Sequence, residues 1–163
     1  MIIAGIDNGL NGAVATVDSE SNEVDFLDDY TIKSNGKNVY DIVHMVETIQ
    51  WLYPDMVYIE KAQAMSKQGV TSTFSTGYGF GLWLGILSAF KIPYEIVSPK
   101  VWQKEFFEGK NKNNGTKQLS YQVSSCIYPD YAKLLLGPKG GLIDGRCDAL
   151  LIATYGLRRQ TRR

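Results

Sequence analysis

Ile2-Ile3-Ala4-Gly5-Ile6-Asp7-Asn8-Gly9-Leu10-Asn11-Gly12-Ala13-Val14-Ala15-Thr16-Val17 is the stretch that decides the fold. Two β-prone runs, Ile2 to Ile6 and Ala13 to Val17, flank the hexapeptide Asp7 to Gly12. Its Gly and Asn residues tolerate the positive φ angles of tight turns, so the spacing predicts an opening hairpin. An acidic turn from Asp18 to Asp25 follows, then a third strand over Phe26 to Ile32 and a polar link from Ser34 to Lys37.

Further along, Val39, Ile42, Val43, Val46, Ile49 and Leu52 recur at helical spacing, which predicts an amphipathic helix from Asn38 to near Pro54. Met56 to Ile59 is a short apolar run suited to a buried central strand that ends at Glu60. After a loop from Lys61 to Gly69 the chain reads as a helix up to Phe90, then a strand over Tyr94 to Val97. Ser98-Pro99 opens a short helix ending at Phe107, and Glu108 to Gly115 is a polar, basic loop. Helices over Thr116 to Ile127 and Asp144 to Arg158 complete the chain. This order predicts an α/β fold with a mixed five-stranded sheet, three antiparallel strands followed by two parallel ones, and helices on both faces. One domain spans residues 1–163, with a basic tail over about 158–163.

The chain has 163 residues, 44% hydrophobic and 21% charged, enough for one domain with a real core and too few for a multidomain machine. Seventeen bases balance seventeen acids, yet the charges are segregated. Through Glu60 there are eleven acids against Lys33 and Lys37, so this part carries nine negative charges and the remainder nine positive. Such asymmetry points to a polyanion-binding face on a dipolar molecule. Cys126, Cys147 and a single histidine supply neither a disulfide framework nor a zinc-ligand set, which suits a reduced compartment. Met1 to Ile6 is too short for a signal sequence and Gly77 to Phe90 too short for a membrane span, so the expected location is the cytoplasm.

Four acids sit where solubility explains them poorly. Asp7 and Glu60 each follow an apolar strand, while Asp144 and Asp148 are four apart on the last helix, about 40° apart around its axis. Each has a plain alternative: an Asx-turn for Asp7, a strand-end charge for Glu60, an N-cap for Asp144 and a solvated helix position for Asp148. If the two strands are neighbours and the helix crosses their ends, the four carboxylates converge. Such crowding raises their pKa values unless cations neutralise it, and an all-oxygen set selects Mg²⁺ or Mn²⁺. Two such ions about 4 Å apart would activate a water and stabilise the leaving oxygen in phosphodiester hydrolysis.

Gly5-Ile6-Asp7-Asn8-Gly9-Leu10-Asn11-Gly12-Ala13, Ile59-Glu60-Lys61, Tyr94-Glu95-Ile96-Val97-Ser98-Pro99-Lys100-Val101-Trp102 and Asp144-Gly145-Arg146-Cys147-Asp148-Ala149-Leu150 together resemble RuvC-type Holliday junction resolvases, particularly bacteriophage-encoded members. The resemblance runs in order over nearly the whole chain. It implies an RNase H-like fold, a homodimer, and Mg²⁺-dependent paired nicking of four-way and other branched DNA. It also implies that Asp7, Glu60, Asp144 and Asp148 are the catalytic metal ligands. In that scheme Asp7 bridges two ions per active site, Glu60 and Asp148 each complete a coordination sphere, and Asp144 binds or orients one ion and its water. The chain departs from the bacterial pattern at three places. Asn8 stands where those members usually carry proline, the final acids are four apart rather than three, and Gln63 occupies the position of an aromatic wedge.

Lys100, Lys104, Lys110, Lys112 and Lys117 cluster in one fifth of the chain, a region where the resemblance places DNA-binding residues. Lys61 and Lys67 follow Glu60, where they could reach the scissile strand. Phosphate contacts of this kind give affinity without reading sequence. Trp102 and Phe106, four apart on a short helix, read as core, and His44 as a bystander. Gly77, Gly81 and Gly85 form a small-residue stripe that suits either a dimer face or packing on the sheet. Two rivals to the nuclease stay open: a non-cleaving junction-binding protein or pseudo-nuclease of the same fold, and an actin-like phosphate-binding module suggested by Asp7-x-Gly9-x-x-Gly12.

Overall fold

The computed structural model describes every residue except 29, 64–68, 111–114 and 163. Strands β1 (Ile2–Asp7) and β2 (Ala13–Asp18) form the opening hairpin, and β3 (Val24–Leu27) lies antiparallel on the far side of β2. β6 (Met56–Glu60) runs parallel to β1 and β7 (Tyr94–Val97) parallel to β6, giving a mixed sheet in the order β3-β2-β1-β6-β7. The last register pair of β1 and β6 is Ile6 with Ile59. One residue further along each strand come Asp7 and Glu60, so parallel pairing brings the two acids to the same end of the sheet.

The sequence reading fails between Leu27 and Ile42. The third strand stops at Leu27 rather than Ile32, and the chain forms a separate two-stranded hairpin, β4 (Thr31–Ser34) and β5 (Lys37–Tyr40). Its two-residue turn is Asn35-Gly36, with φ of 49° and 76°. That is the left-handed pair which asparagine and glycine adopt in tight hairpins. The first helix, α1 (Ile42–Leu52), therefore begins four residues later than the apolar spacing predicts. Asp41 fixes its start by accepting the His44 backbone N–H at 3.1 Å.

Helices cover both faces of the sheet. On one face Ala4, Ile6, Val14, Val57 and Ile59 meet Met45 and Ile49 of α1 and Trp83 and Leu87 of α2 (Val70–Ala89). On the other, Ile3, Tyr58 and Val97 meet α3 (Pro99–Phe107), α4 (Gly115–Ile127) and α5 (Asp144–Thr161). α5 lies against β1 at backbone distance: a Cβ on Gly5 would fall 2.2 Å from the Ala149 carbonyl oxygen and 2.3 Å from the Ala153 nitrogen. No side chain fits there. α5 also continues to Thr161, so the basic end is helical, with Arg158 and Arg162 directed at Glu105 and Arg159 at Glu95. Among the described residues no helix is long and apolar enough to cross a membrane.

Because α5 carries two of the four acids, its contact with β1 determines whether they reach Asp7. Gly5→Ala is expected to lower stability by about 3 kcal/mol or to prevent folding, read as a fall in the urea midpoint.

Candidate active site

Asp7 leaves β1, Glu60 leaves β6, and Asp144 and Asp148 occupy the first two turns of α5. All four are part-exposed. Asp7, Asp144 and Asp148 line a cleft of about 930 Å³ together with the loop from Gly9 to Gly12. Gly145 seats the start of α5 on that loop, since a Cβ there would lie 2.5 Å from the Asn11 carbonyl oxygen.

Each carboxylate has a partner in the protein. Asp7 Oδ1 accepts the Gly9 N–H at 3.2 Å, so the Asx-turn read from sequence is present at a residue that also lines the cleft. Glu60 Oε2 accepts the Trp102 indole N–H at 2.7 Å, and the Asn8 side chain donates to the Glu60 carbonyl oxygen, which ties the exits of β1 and β6 together. Ser120 hydrogen-bonds Asp148. Lys117 forms an ion pair with Asp144 Oδ2, and the N-cap position that sequence left open for Asp144 belongs to Ile143.

The acids sense one another. Burial pushes Glu60 up to about 7, with the Asp7 and Asp148 charges adding to the rise and the Trp102 hydrogen bond opposing it. Burial likewise lifts Asp148 to about 7, opposed by Ser120 and reinforced by Asp7 and Asp144. Asp7 is raised by burial and by Asp144, against the Gly9 N–H. Cys147, buried between the α5 acids in sequence, has its thiol raised to about 12 by burial and by the Asp148 and Asp144 charges.

An all-oxygen set of four carboxylates from three rigid elements, carrying more negative charge than it readily holds, fits a hard divalent cation. Among the described residues no three such side chains are gathered into a ready-made cage. Glu60 is turned to Trp102 and Asp144 to Lys117.

Of the seven lysines expected to contact DNA, Lys117 lines the cleft. Lys61, Lys100, Lys104 and Lys110 are exposed but outside its lining, and Lys67 and Lys112 lie outside the described residues. Lys104 borders a different groove, of about 420 Å³, with Glu105, Glu108 and Arg159. Gln63 is exposed and His44 faces Glu47 on α1. Sequence reasoning missed Trp102 and Ser120 as partners of the acids. It also missed Lys33, Lys37 and Asn38, which the β4–β5 hairpin brings to the cleft, and Thr71, Ser75 and Thr76, which α2 brings there.

No family model matches the chain, and no curated protein matches it in sequence. The fold is similar to that of several solved Holliday junction resolvases. Thermus thermophilus RuvC in complex with Holliday junction substrate superposes with a TM-score of 0.66 at 15% identity, over 99% of this chain and 96% of that one. The yeast mitochondrial Holliday junction resolvase Ydc2 gives 0.69 at 16% identity over 98% and 79%. The Fowlpox virus resolvase, solved with Holliday junction DNA, gives 0.54 at 18% identity over 98% and 99%.

The raised carboxylates fix the sign of a pH effect on the metal-free protein. Glu60 and Asp148 have ordinary values of 4.5 and 3.8 and reach about 7 in the folded chain, so across that window the folded state binds more protons than the unfolded one. Stability is therefore expected to be greatest near the acidic end and to fall as pH rises through 7. Thermal melts in chelator at intervals from pH 5 to 8 check this; Glu60→Gln and Asp148→Asn should each flatten the decline.

Proposed function

We propose that this protein is a metal-dependent, structure-selective DNA endonuclease that resolves Holliday junctions and related branched DNA by paired nicks. One observation carries the reading: acids at the ends of two adjacent parallel strands and on the helix crossing them are electrostatically coupled, and three of them, Asp7, Asp144 and Asp148, line one cleft, in a fold similar to that of solved junction resolvases. Asp7, Glu60, Asp144 and Asp148 are the residues that would hold two Mg²⁺ or Mn²⁺ ions. Bound there, such ions supply a water of lowered pKa and neutralise charge developing on the phosphate. Asp7 interacts electrostatically with Glu60 of β6 and with Asp144 and Asp148 of α5, so it is the residue that would serve as a shared ligand. Trp102 fixes the side chain of Glu60, Ser120 that of Asp148, and Lys117 brings a cation to the cleft's edge for the substrate phosphate.

Paired nicking calls for two copies of the site, and a homodimer supplies them. The exposed face of α2 supports this. Methyl groups placed on Gly77, Gly81 and Gly85 would meet no described atom within 4 Å, so the stripe is not packed on the sheet. Tyr78, Leu82 and Ile86 flank it along a shallow apolar groove, and Phe74, one turn before Tyr78, is 73% exposed. A second copy packed there would bury that surface.

Cleavage of labelled four-way, forked and linear DNA, with Mg²⁺ and with chelator, tests the reading. Nicking is expected on branched substrates and only with the metal. Asp7→Asn and Glu60→Gln should each lower the cleavage rate by at least about a hundredfold, as expected for loss of a metal ligand, while junction binding persists in gel shift. Parental rates in either variant would remove the carboxylates from the chemistry. Gly81→Glu is expected to shift sedimentation from dimer to monomer.

A further inference from the structure

Asp7, Asp144 and Asp148 share their cleft with parts that the nuclease reading does not use. Lys33 and Asn38 are a directly opposed cross-strand pair on the β4–β5 hairpin, and Lys37 follows its Asn35-Gly36 turn. All three line the cleft that Asp7, Asp144 and Asp148 line, and all three are exposed. Thr71, Ser75 and Thr76 of α2 stand beside them.

A two-stranded hairpin outside the main sheet is marginally stable by itself, yet this one is anchored to the catalytic end of β1. The Tyr40 hydroxyl donates to the Asn8 carbonyl oxygen at 3.0 Å and to that of Ser75 at 3.3 Å. The Tyr30 hydroxyl, just before β4, donates to the carbonyl oxygens of Asp7 at 2.9 Å and Gly9 at 3.0 Å. Tyr30 and Tyr40 stack with ring centroids 6.4 Å apart, and the Asp41 N–H closes the base on the Tyr30 carbonyl oxygen at 2.9 Å. The hairpin's base is thus fixed to the same loop that positions Asp7, while its two lysines remain at the solvent side.

We propose that the β4–β5 hairpin is a phosphate clamp, in which Lys33 and Lys37 with Asn38 hold the backbone of the DNA strand that enters the cleft lined by Asp7, Asp144 and Asp148. This rests on the nuclease reading and adds to it the element that aligns the strand. A polyanion brought to Asp7, Asp144 and Asp148 is repelled by them, and the Lys33 and Lys37 cations lining the same cleft offset that repulsion along the strand. The α2 hydroxyls suit the same backbone as neutral hydrogen-bond donors. None of these groups needs to read a base, so the clamp gives affinity and register without sequence preference.

The test is binding of a labelled four-way junction to the full chain in chelator, by fluorescence anisotropy over a series of salt concentrations. Each lysine that neutralises a phosphate contributes close to one unit to the slope of log affinity against log salt. Lys33→Gln combined with Lys37→Gln is expected to weaken binding at least tenfold and to reduce that slope by about 2. Lys33→Arg combined with Lys37→Arg should restore both. Lys91→Gly removes a lysine outside the cleft lining, at a φ of 56° that glycine accepts, and should leave the slope at its parental value. Circular dichroism confirms that each variant is folded. A folded double Gln variant with the parental slope would overturn the clamp and leave the nuclease reading intact. A parent protein that neither binds nor cuts branched DNA would overturn both.

Discussion

Burying carboxylates beside one another is the constraint around which this molecule is arranged. Burial first, and then the charges of neighbouring acids, raise Asp7 and lift Glu60 and Asp148 to about 7. A flexible scaffold would relieve that strain by moving the acids apart. Here they are delivered by a central strand pair and by a helix in backbone contact with one of those strands at Gly5. Glu60 is oriented toward Trp102 and Asp144 toward Lys117, while their attachment points are held by β6 and α5.

The surrounding polar groups follow from the same constraint. Asn8, 3% exposed, occupies a position where a buried amide needs partners, and it uses its side chain to bind the β6 exit and its carbonyl to receive Tyr40. Proline at this position would lack the side-chain donor, so the departure from the bacterial pattern has a structural use in this chain. Trp102 combines burial and polarity: it fills the core between α3 and the sheet and spends its single N–H on Glu60.

Much of this was legible in the sequence, and the failures have specific causes. The acids were readable because each interrupts an apolar run at a predictable exit: Asp7 after Ile2 to Ile6, Glu60 after Met56 to Ile59, Asp148 before Ala149 to Ala153. Trp102 was read as core, which holds at 0% exposure. Its hydrogen bond was invisible because the partner lies 42 residues away, and only tertiary packing joins them. The β4–β5 hairpin had a strong local signal in Asn35-Gly36. It was obscured because Val39, on β5, falls in phase with Ile42, Val43, Val46 and Ile49 and extended the apparent helix across a strand. Ser120 carried no signal beyond its place on an amphipathic helix.

The charge asymmetry resolves once the strands are in place. An acidic first third looks ill suited to a polyanion, yet its carboxylates are distributed by the direction of β1. Asp18, Glu23 and Asp25 lie with Ile2 at the strand's start, and Asp55 accepts the Ile2 N–H there, at the end of β1 opposite the cleft. Asp28 pairs with Arg146 on α5, Asp41 caps α1, and Glu47 faces His44. Asp7 and Glu60 are the acids at the C-terminal ends of β1 and β6, and Lys33 and Lys37, the two bases of that segment, are carried by the hairpin to the cleft that Asp7 lines. Arg158 and Arg162 both face Glu105 and Arg159 faces Glu95, so two carboxylates offset part of the positive charge at that end of α5. A neutral total charge coexists with a cleft lined by Asp7, Asp144 and Asp148 beside Lys33, Lys37 and Lys117 because β1 and its neighbours carry Asp18, Glu23, Asp25 and Asp55 to the opposite end of the strand.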